Sequence, residues 1–517
     1  VRGWDVRGLG AGRTWSANAT NARAGFYGVG MDISRLCDRL IEIDYTTDSV
    51  LERIGDAGQA GLHRNCTLPA DVALAGADDP LATLIRMFLL RQQVPSGVAE
   101  RAFGGCFFDV VAQGIIAVDG GSARAVVELR PYASPDDGAS GWLVSDLTPG
   151  LDGIVEPTRP DYVLGASPAS LTLAEITMRG HVGQALDLGT GCGVQSYHLS
   201  RHADQVVATD LNPRALRLAR LGAALSGMDV DFREGSLYEP VAGERFDLIV
   251  SNPPYVMSPP GGQRLTYRES TFTADGLVEA VVREAPAHLT PGGSLQLLTN
   301  WAVTQEPWEE RLASWVEGSG CDLFAIERER LDRFAYIEMW LTDAGLTGRP
   351  EWEPTYREWL AYFDHLGIDE VGMGWILLTN AGRETPEIRC ESWPHAVAQP
   401  VGEVFAAHAE AVDASRLDTA DLLSLTPRLT GVVAETTGQP GAADPEHLVL
   451  RQRTGLLRGM RLSTVTGAVL GALDGDLTVG QTMAAVAQLL EVPAEEVAAE
   501  AIPAVRQALA EQYLTAH

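Results

Sequence analysis

The run ALDLGTGCGVQS, residues 185–196, constrains the fold of this chain more than any other stretch. Ala185, Leu186 and Leu188 predict a buried strand, and Gly189, Gly191 and Gly193 follow at once. Glycine has no Cβ, so such a loop can turn sharply and bring its backbone close to a ligand. A strand, a glycine turn and a helix open a βαβ unit, and therefore a parallel sheet. The spacing is D-x-G-x-G-x-G. A dinucleotide fingerprint, G-x-G-x-x-G, would need its last glycine where Val194 stands.

Strand patterns recur at 184–189, 205–210, 229–234, 246–251, 292–299, 321–328 and 371–379, with helical patterns between most of them. This alternation predicts an α/β, Rossmann-like, seven-stranded sheet over residues 161–400. RFAYIEMWL and TYREWLAYFDHL predict a helical insertion at about 330–368. Eight of the eleven tryptophans lie between Trp301 and Trp393, either as core of that insertion or as an aromatic pocket.

Accessory domains are expected on both sides. Residues 31–160 hold helical patterns at 31–43, 47–58, 80–91 and 95–103. A hairpin then turns at Asp119-Gly120-Gly121, and GWLVSDL adds a short strand. Helices followed by a small antiparallel ribbon predict a winged-helix-like domain. Residues 401–517 hold a loop, TTGQPGAADPEH, a strand, LVLRQ, and two helices beginning near Thr478 and Pro493. Residues 1–30 have four arginines against Asp5 and no apolar run, and are expected to be a disordered extension or the product of a start placed upstream of Met31.

Charge narrows the partners. The net charge is −30, and all 39 basic residues are arginine. Nucleic-acid affinity rests on neutralising phosphates, so non-specific binding should be weak. Arg451, Arg453, Arg458 and Arg461 form the one dense basic cluster, in a region of 7 arginines and 15 acids. The six cysteines show no C-x-x-C pair, which argues against zinc and thioredoxin-like chemistry and fits reduced thiols in a cytoplasmic protein. No apolar run reaches the roughly 18 residues of a membrane span, so no membrane partner is expected.

Further residues fall into register with the glycine loop. Asp210 stands seventeen residues past Gly193, at the end of VVATDLNP. An acid ending the second strand can accept both ribose hydroxyls of a nucleoside, although it could instead cap the helix beginning at Pro213. Asp187 can take up the ammonium of a bound amino acid. Gly235, Ser236 and Leu237, in FREGSLYEP, would lie beside an adenine. Thr190, Leu211 and Asn212 complete the same loops.

The most specific signal is FDLIVSNPPYV, with Asn252, Pro253, Pro254 and Tyr255 ending the fourth strand. The two prolines fix the backbone and carry no N–H. The carbonyls of Asn252 and Pro253 can then converge as acceptors on one NH₂ group, with Tyr255 stacked on its planar surroundings. A plain loop breaker ending a strand would look the same in isolation.

Taken in order, LDLGTGCG, ATDLNPRAL, GSLYEP and SNPPY resemble the class I Rossmann-like "small" methyltransferases. That group includes release-factor glutamine methyltransferases of the HemK/PrmC type and ribosomal RNA amine methyltransferases. The overall arrangement looks like that of an actinobacterial methyltransferase family. The resemblance is strong over 161–300 and loose over 301–400. It implies S-adenosylmethionine held by Asp187, Gly189, Gly191 and Asp210, and an acceptor nitrogen at Asn252 and Tyr255. The chain departs from the glutamine enzymes at Pro168-Ala169-Ser170-Leu171 and at Ser236, where they usually carry an acid. A protein glutamine amide, as in a translation factor, is the first acceptor expected. An RNA or DNA base amine is the second; a small molecule and a non-catalytic binding role are weaker alternatives.

Overall fold

The computed structural model describes residues 33–153, 159–261, 268–269, 271–439 and 447–516. The N-terminal extension and the middle of the TTGQPGAADPEH loop lie outside the described residues. The largest sheet contains β1 (Val182–Leu188), β2 (Ala203–Asp210), β3 (Asp231–Glu234), β4 (Phe246–Ser251), β5 (Leu289–Val303), β6 (Asp322–Asp332), β7 (Glu370–Thr379) and β8 (Ile388–Ser392). Their order is β8-β6-β7-β5-β4-β1-β2-β3. The pairs β1–β2, β1–β4, β2–β3, β4–β5 and β6–β8 are parallel. The seven expected strands are present, and β8 is an eighth. Its sequence, IRCES, has an exposed or half-buried side chain at every position, so no apolar run marked it.

The strand order places the site. β1 has β2 on one side and β4 on the other, so the chain winds away from β1 in both directions. In open α/β sheets ligands bind outside the carboxyl ends of the strands at such a switch point. The glycine loop leaves β1 here, and the Asn-Pro-Pro-Tyr segment leaves β4 beside it. The helices that matter are α1 (Val194–Leu199), α2 (Pro213–Leu225), α3 (Gly276–His288), α4 (Trp308–Trp315), α5 (Arg333–Asp343) and α6 (Trp352–Leu366).

The chain divides into two compact units. The first runs through Ala174 and adds His181–Glu317 and Arg330–Ile376. Its N-terminal part includes helices Ile33–Glu42, Thr47–Leu62 and Ser96–Phe103. Strand Ile116–Asp119 pairs with Ser122–Ala125 across Gly120-Gly121, and Val94–Pro95 pairs with the second of these strands. A second ribbon, Glu128–Ala133 with Ser140–Ser145, follows. Leu36, Tyr45, Phe88 and Trp142 share one buried core with Val194, Tyr197 and Leu218 of α1 and α2. Tyr197 also donates a 2.7 Å hydrogen bond to the Trp142 carbonyl. The helices and ribbons between Leu36 and Val144 are therefore packed onto the glycine-loop helix.

In the same unit α5 and α6 bury Tyr336, Ile337, Trp359 and Phe363 around Val256 and Met257. Trp301, Trp308 and Trp315 are likewise buried, so most of the tryptophan-rich stretch within this unit is core.

The second unit holds Glu175–Gly180, Gly318–Glu329 and residues from Leu377 onward. Helices Thr464–Gly471, Val479–Leu490 and Ala494–Ala510 pack around Leu470, Val479 and Val505. Thr478 caps its helix with a reciprocal bond from Gln481, as its side chain suggested. Of the basic cluster, Arg451, Arg453 and Arg461 are exposed and Arg458 is not. Arg458 is buried, pairs with Glu391 and lies 4.8 Å from the Trp393 ring centroid, while Arg451 pairs with Glu435.

Candidate cofactor and acceptor site

Asp187 ends β1 with 1% of its surface exposed. Its Oδ2 accepts from the Thr190 hydroxyl at 2.6 Å, the Ser196 hydroxyl at 2.7 Å and the Ser196 N–H at 3.0 Å. Burial pushes its carboxyl up to about 6, and the three hydrogen bonds oppose that shift. Thr190 is thus committed to the carboxylate, and Asp187 organises the glycine loop from beneath.

Gly189, Gly191 and Gly193 have φ of 79°, 56° and 88°. A Cβ at Gly189 or Gly191 would meet no protein atom within 4 Å, whereas one at Gly193 would lie 3.4 Å from the Ala219 Cβ. The first two glycines border open space, and the third lets α1 pack on α2. The loop backbone thus provides a cradle of the kind a nucleoside-bearing ligand would need.

Asp210 ends β2. Its Oδ2 accepts the Gly191 N–H and its Oδ1 the Asn212 N–H, both at 2.8 Å. Burial raises its carboxyl, and these two bonds lower it. Asn212, not Asp210, caps α2: its Oδ1 accepts the Arg214 N–H at 3.0 Å and its Nδ2 donates to the Asp161 carbonyl at 3.0 Å. Both ends of that side chain are therefore engaged. Leu211 is 61% exposed next to Asp210.

After β3, Gly235 approaches the ring of Pro240 so closely that a Cβ would sit 2.6 Å from its Cγ. The Ser236 N–H points to the Glu239 carboxylate at 3.3 Å. Leu237 holds φ 46°, a left-handed conformation that a branched side chain rarely adopts. Such strain persists where the surroundings impose it, most often around ligands.

β4 delivers Asn252, Pro253, Pro254 and Tyr255. The Asn252 Oδ1 is buried and, among the described residues, has no hydrogen-bond partner. Buried acceptors are nearly always satisfied, so an orphan calls for a donor. Burial pushes the Tyr255 hydroxyl up to about 12, so the ring stays neutral. The Tyr255 ring meets Trp340 edge-on, with centroids 6.5 Å apart. Asp275, in the TADGL segment, is 2% exposed; it is tied to Arg311 and to the Ala302 N–H, which makes it an anchor within the fold. Sequence patterns did not single out Trp340 or Tyr336. The only available signal was the tryptophan-rich stretch, and its dominant use is core. Among the described residues, no cluster of three or more potential metal ligands is present.

Residues 167–317 match a family model described as the methyltransferase small domain, and residues 42–126 match DUF7059, a domain of unknown function. A release factor glutamine methyltransferase of Xylella fastidiosa is 40% identical over 141 residues, covering 25% of this chain and 48% of the relative. The enzyme of that name in Deinococcus radiodurans is 47% identical over 127 residues, covering 22% and 44%. A ribosomal RNA small subunit methyltransferase C of Alcanivorax borkumensis is 30% identical over 138 residues, covering 27% and 38%. The chain thus spans about half, or less, of the length of these curated relatives. The glycine loop, Asp210 and the Asn-Pro-Pro-Tyr turn all lie within the segment, residues 167–317, that matches the methyltransferase small domain model.

Proposed function

We propose that this chain is an S-adenosylmethionine-dependent N-methyltransferase whose acceptor is a planar amide or amine nitrogen, best matched by a protein glutamine side chain. The observation that carries this is the buried, unpartnered Asn252 Oδ1 at the end of β4, beside the glycine cradle. When bound, adenosylmethionine supplies an electrophilic methyl group. In this reading Asp210 would accept the ribose hydroxyls, and Leu211 and Leu237 would pack on the adenine. Asp187, Thr190 and Ser196 keep the loop shaped around it.

Asn252 Oδ1 and the Pro253 carbonyl accept the two hydrogens of the acceptor NH₂. Amide and aryl amine lone pairs are delocalised and weakly nucleophilic. Holding both hydrogens fixes the lone pair toward the methyl, and positioning of this kind is the main contribution the protein can make. The same two oxygens stabilise positive charge developing on nitrogen. The methylated nitrogen is acidic enough to lose its proton to water, so no strong general base is required. Tyr255, neutral and partly buried, packs against the planar group.

Asn252→Ala is expected to leave the fold and cofactor affinity intact while lowering turnover about 10²–10³-fold, the cost of one lost transition-state hydrogen bond. Tyr255→Phe should be mild and Tyr255→Ala severe. Wild-type turnover in Asn252→Ala, or a product methylated on carbon, oxygen or sulfur, would refute the assignment. The acceptor is a macromolecule in this proposal. Labelled methyl transferred into cell extract should be released by protease and survive RNase. A base amine in RNA is the second candidate, supported by the likeness to the ribosomal RNA enzyme; RNase-sensitive label would select it. The burial of Arg458 and the ion pair of Arg451 leave Arg453 and Arg461 as the exposed remainder of the basic cluster that favoured it.

A further inference from the structure

The turn that carries Asn252 and Tyr255 has no regular structure of its own, so something must hold it still. Its near end is fixed by β4, where the Ser251 hydroxyl donates to the Leu188 carbonyl at 2.6 Å. Its far end is held by α5. The Tyr336 hydroxyl, on a fully buried side chain, accepts the Met257 N–H at 3.1 Å. The same oxygen accepts from the Asn300 Nδ2 at 2.9 Å, which ties it to β5. One turn along α5, Trp340 packs edge-on against both Tyr255 and Tyr336, with centroids 6.5 Å and 6.1 Å away.

A third contact closes the frame. The Arg268 carbonyl accepts the Val256 N–H at 2.8 Å. The Arg268 guanidinium lies over the Trp340 ring at 5.8 Å and pairs with Asp343 of α5 at 2.6 Å. One helix thus reaches the turn through a backbone amide, through the Tyr255 ring and through Arg268. None of these contacts involves the cofactor loops.

We infer that Tyr336 and Trp340 are positioning residues for methyl transfer: α5 sets where the Asn252 carbonyl and the Tyr255 ring meet the acceptor nitrogen. This rests on the assignment of Asn252 and Tyr255 as the acceptor site. The physical reason is steep. In-line attack tolerates little misplacement, and a shift of about 1 Å can cost on the order of 10²-fold in rate. Removing the Tyr336 hydroxyl leaves a buried Met257 N–H without its acceptor, so the turn gains alternatives to its present path. Trp340 limits the tilt of the Tyr255 ring in the same way.

The test uses the full chain and tritiated S-adenosylmethionine, with Tyr336→Phe, Trp340→Phe, Trp340→Ala and Asn252→Ala compared with the wild type. Cofactor affinity and the KM for cofactor should stay close to wild type in Tyr336→Phe, with a modestly lower melting temperature from the lost hydrogen-bond acceptor. Its maximal transfer rate into the extract acceptor should fall on the order of tenfold or more. Amide exchange of the peptide spanning 252–258, measured with cofactor bound, should speed up on the order of tenfold. Trp340→Phe keeps an aromatic edge and should retain more activity than Trp340→Ala. A dead Asn252→Ala beside a Tyr336→Phe of wild-type rate and unchanged exchange would overturn this inference alone. Wild-type transfer in Asn252→Ala would overturn the acceptor site itself. If the wild type labels nothing in the extract, the exchange measurement decides: unchanged exchange in Tyr336→Phe overturns the inference, and accelerated exchange sustains it. Equal losses of rate, cofactor affinity and stability in Tyr336→Phe would reduce Tyr336 to a core residue and overturn it too.

Discussion

Asp187 lies close enough to Asp210 at the glycine loop to feel its charge, and among the described residues neither carboxylate is paired with a cation. Asp187 is raised to about 6 by burial, with Asp210 adding to the shift. The sign follows from linkage. A carboxylate raised in the folded state binds its proton more tightly there than in the unfolded chain. Its ionisation therefore costs stability as pH rises from the unfolded value, about 4, through about 6. A cationic ligand favours the ionised form. Cofactor binding near pH 5.5, about half a unit below that value, should release protons, and affinity should climb as pH rises through about 6. Calorimetry in buffers of different ionisation enthalpy reads this directly; Asp187→Asn should lose the buffer dependence, and identical heats in the wild type would rule it out. Asp210→Ala should weaken binding by roughly one to two decades, since a hydrogen bond to a charged group contributes about 1.5–3 kcal/mol. Asp210→Asn is the informative companion. It can accept from only one of the Gly191 and Asn212 amides, so it separates loop support from ribose binding. Unchanged affinity in both variants would sink the ribose assignment.

At the scale of elements, the glycine loop divides into two tasks that its spacing alone could not separate. Gly191 and Gly193 both need a left-handed backbone, so alanine at either should cost about 1–2 kcal/mol of stability. The new methyl group distinguishes them. At Gly193 it presses on Ala219 between α1 and α2; at Gly191 it enters open space where the ligand is proposed to lie. Gly191→Ala should therefore lose more than about tenfold in cofactor affinity, and Gly193→Ala should mainly lower the melting temperature. Equal affinity losses in the two would show that the cradle is misplaced. These loops were legible in the sequence because each motif directly follows its strand and its geometry is local. The hold of α5 was not, because Tyr336 reaches Met257 across 79 residues. Strand β8 escaped for a different reason: Ile388–Ser392 carries only Ile388 and Cys390 as apolar side chains among charges, and its partner β6 makes it a strand.

The whole molecule is less modular than its sequence suggests. Composition and turn signals mark breaks near residues 160 and 400, yet packing follows neither. The N-terminal helices share a core with α1 and α2, a long-range fact that no local pattern carries. The second unit gathers the Gly318–Glu329 segment with residues from Leu377 onward. Within it, His408 is 2% exposed and stacks on Phe324 of β6 at 4.5 Å, and burial pushes its imidazole down to about 4, so it stays neutral. Arg383 joins the buried Asp322 to Asp413. Arg389 of β8 donates to the Ala510 carbonyl at 3.2 Å. A chain ending at Pro400 would keep β6 and β8 but lose His408, Asp413, Arg458 and Ala510. Phe324 would then be uncovered, Arg383 would lose Asp413, and Glu391 would lose Arg458 and keep only Arg389. The shortened chain should therefore be poorly soluble or melt well below the full chain. A chain ending at Thr515 keeps all four of these residues together with the buried Tyr513 and Leu514, and should stay close to wild type. A soluble chain ending at Pro400, with the melting temperature of the whole protein, would show that residues beyond 400 form an independent appendage and that these contacts contribute little.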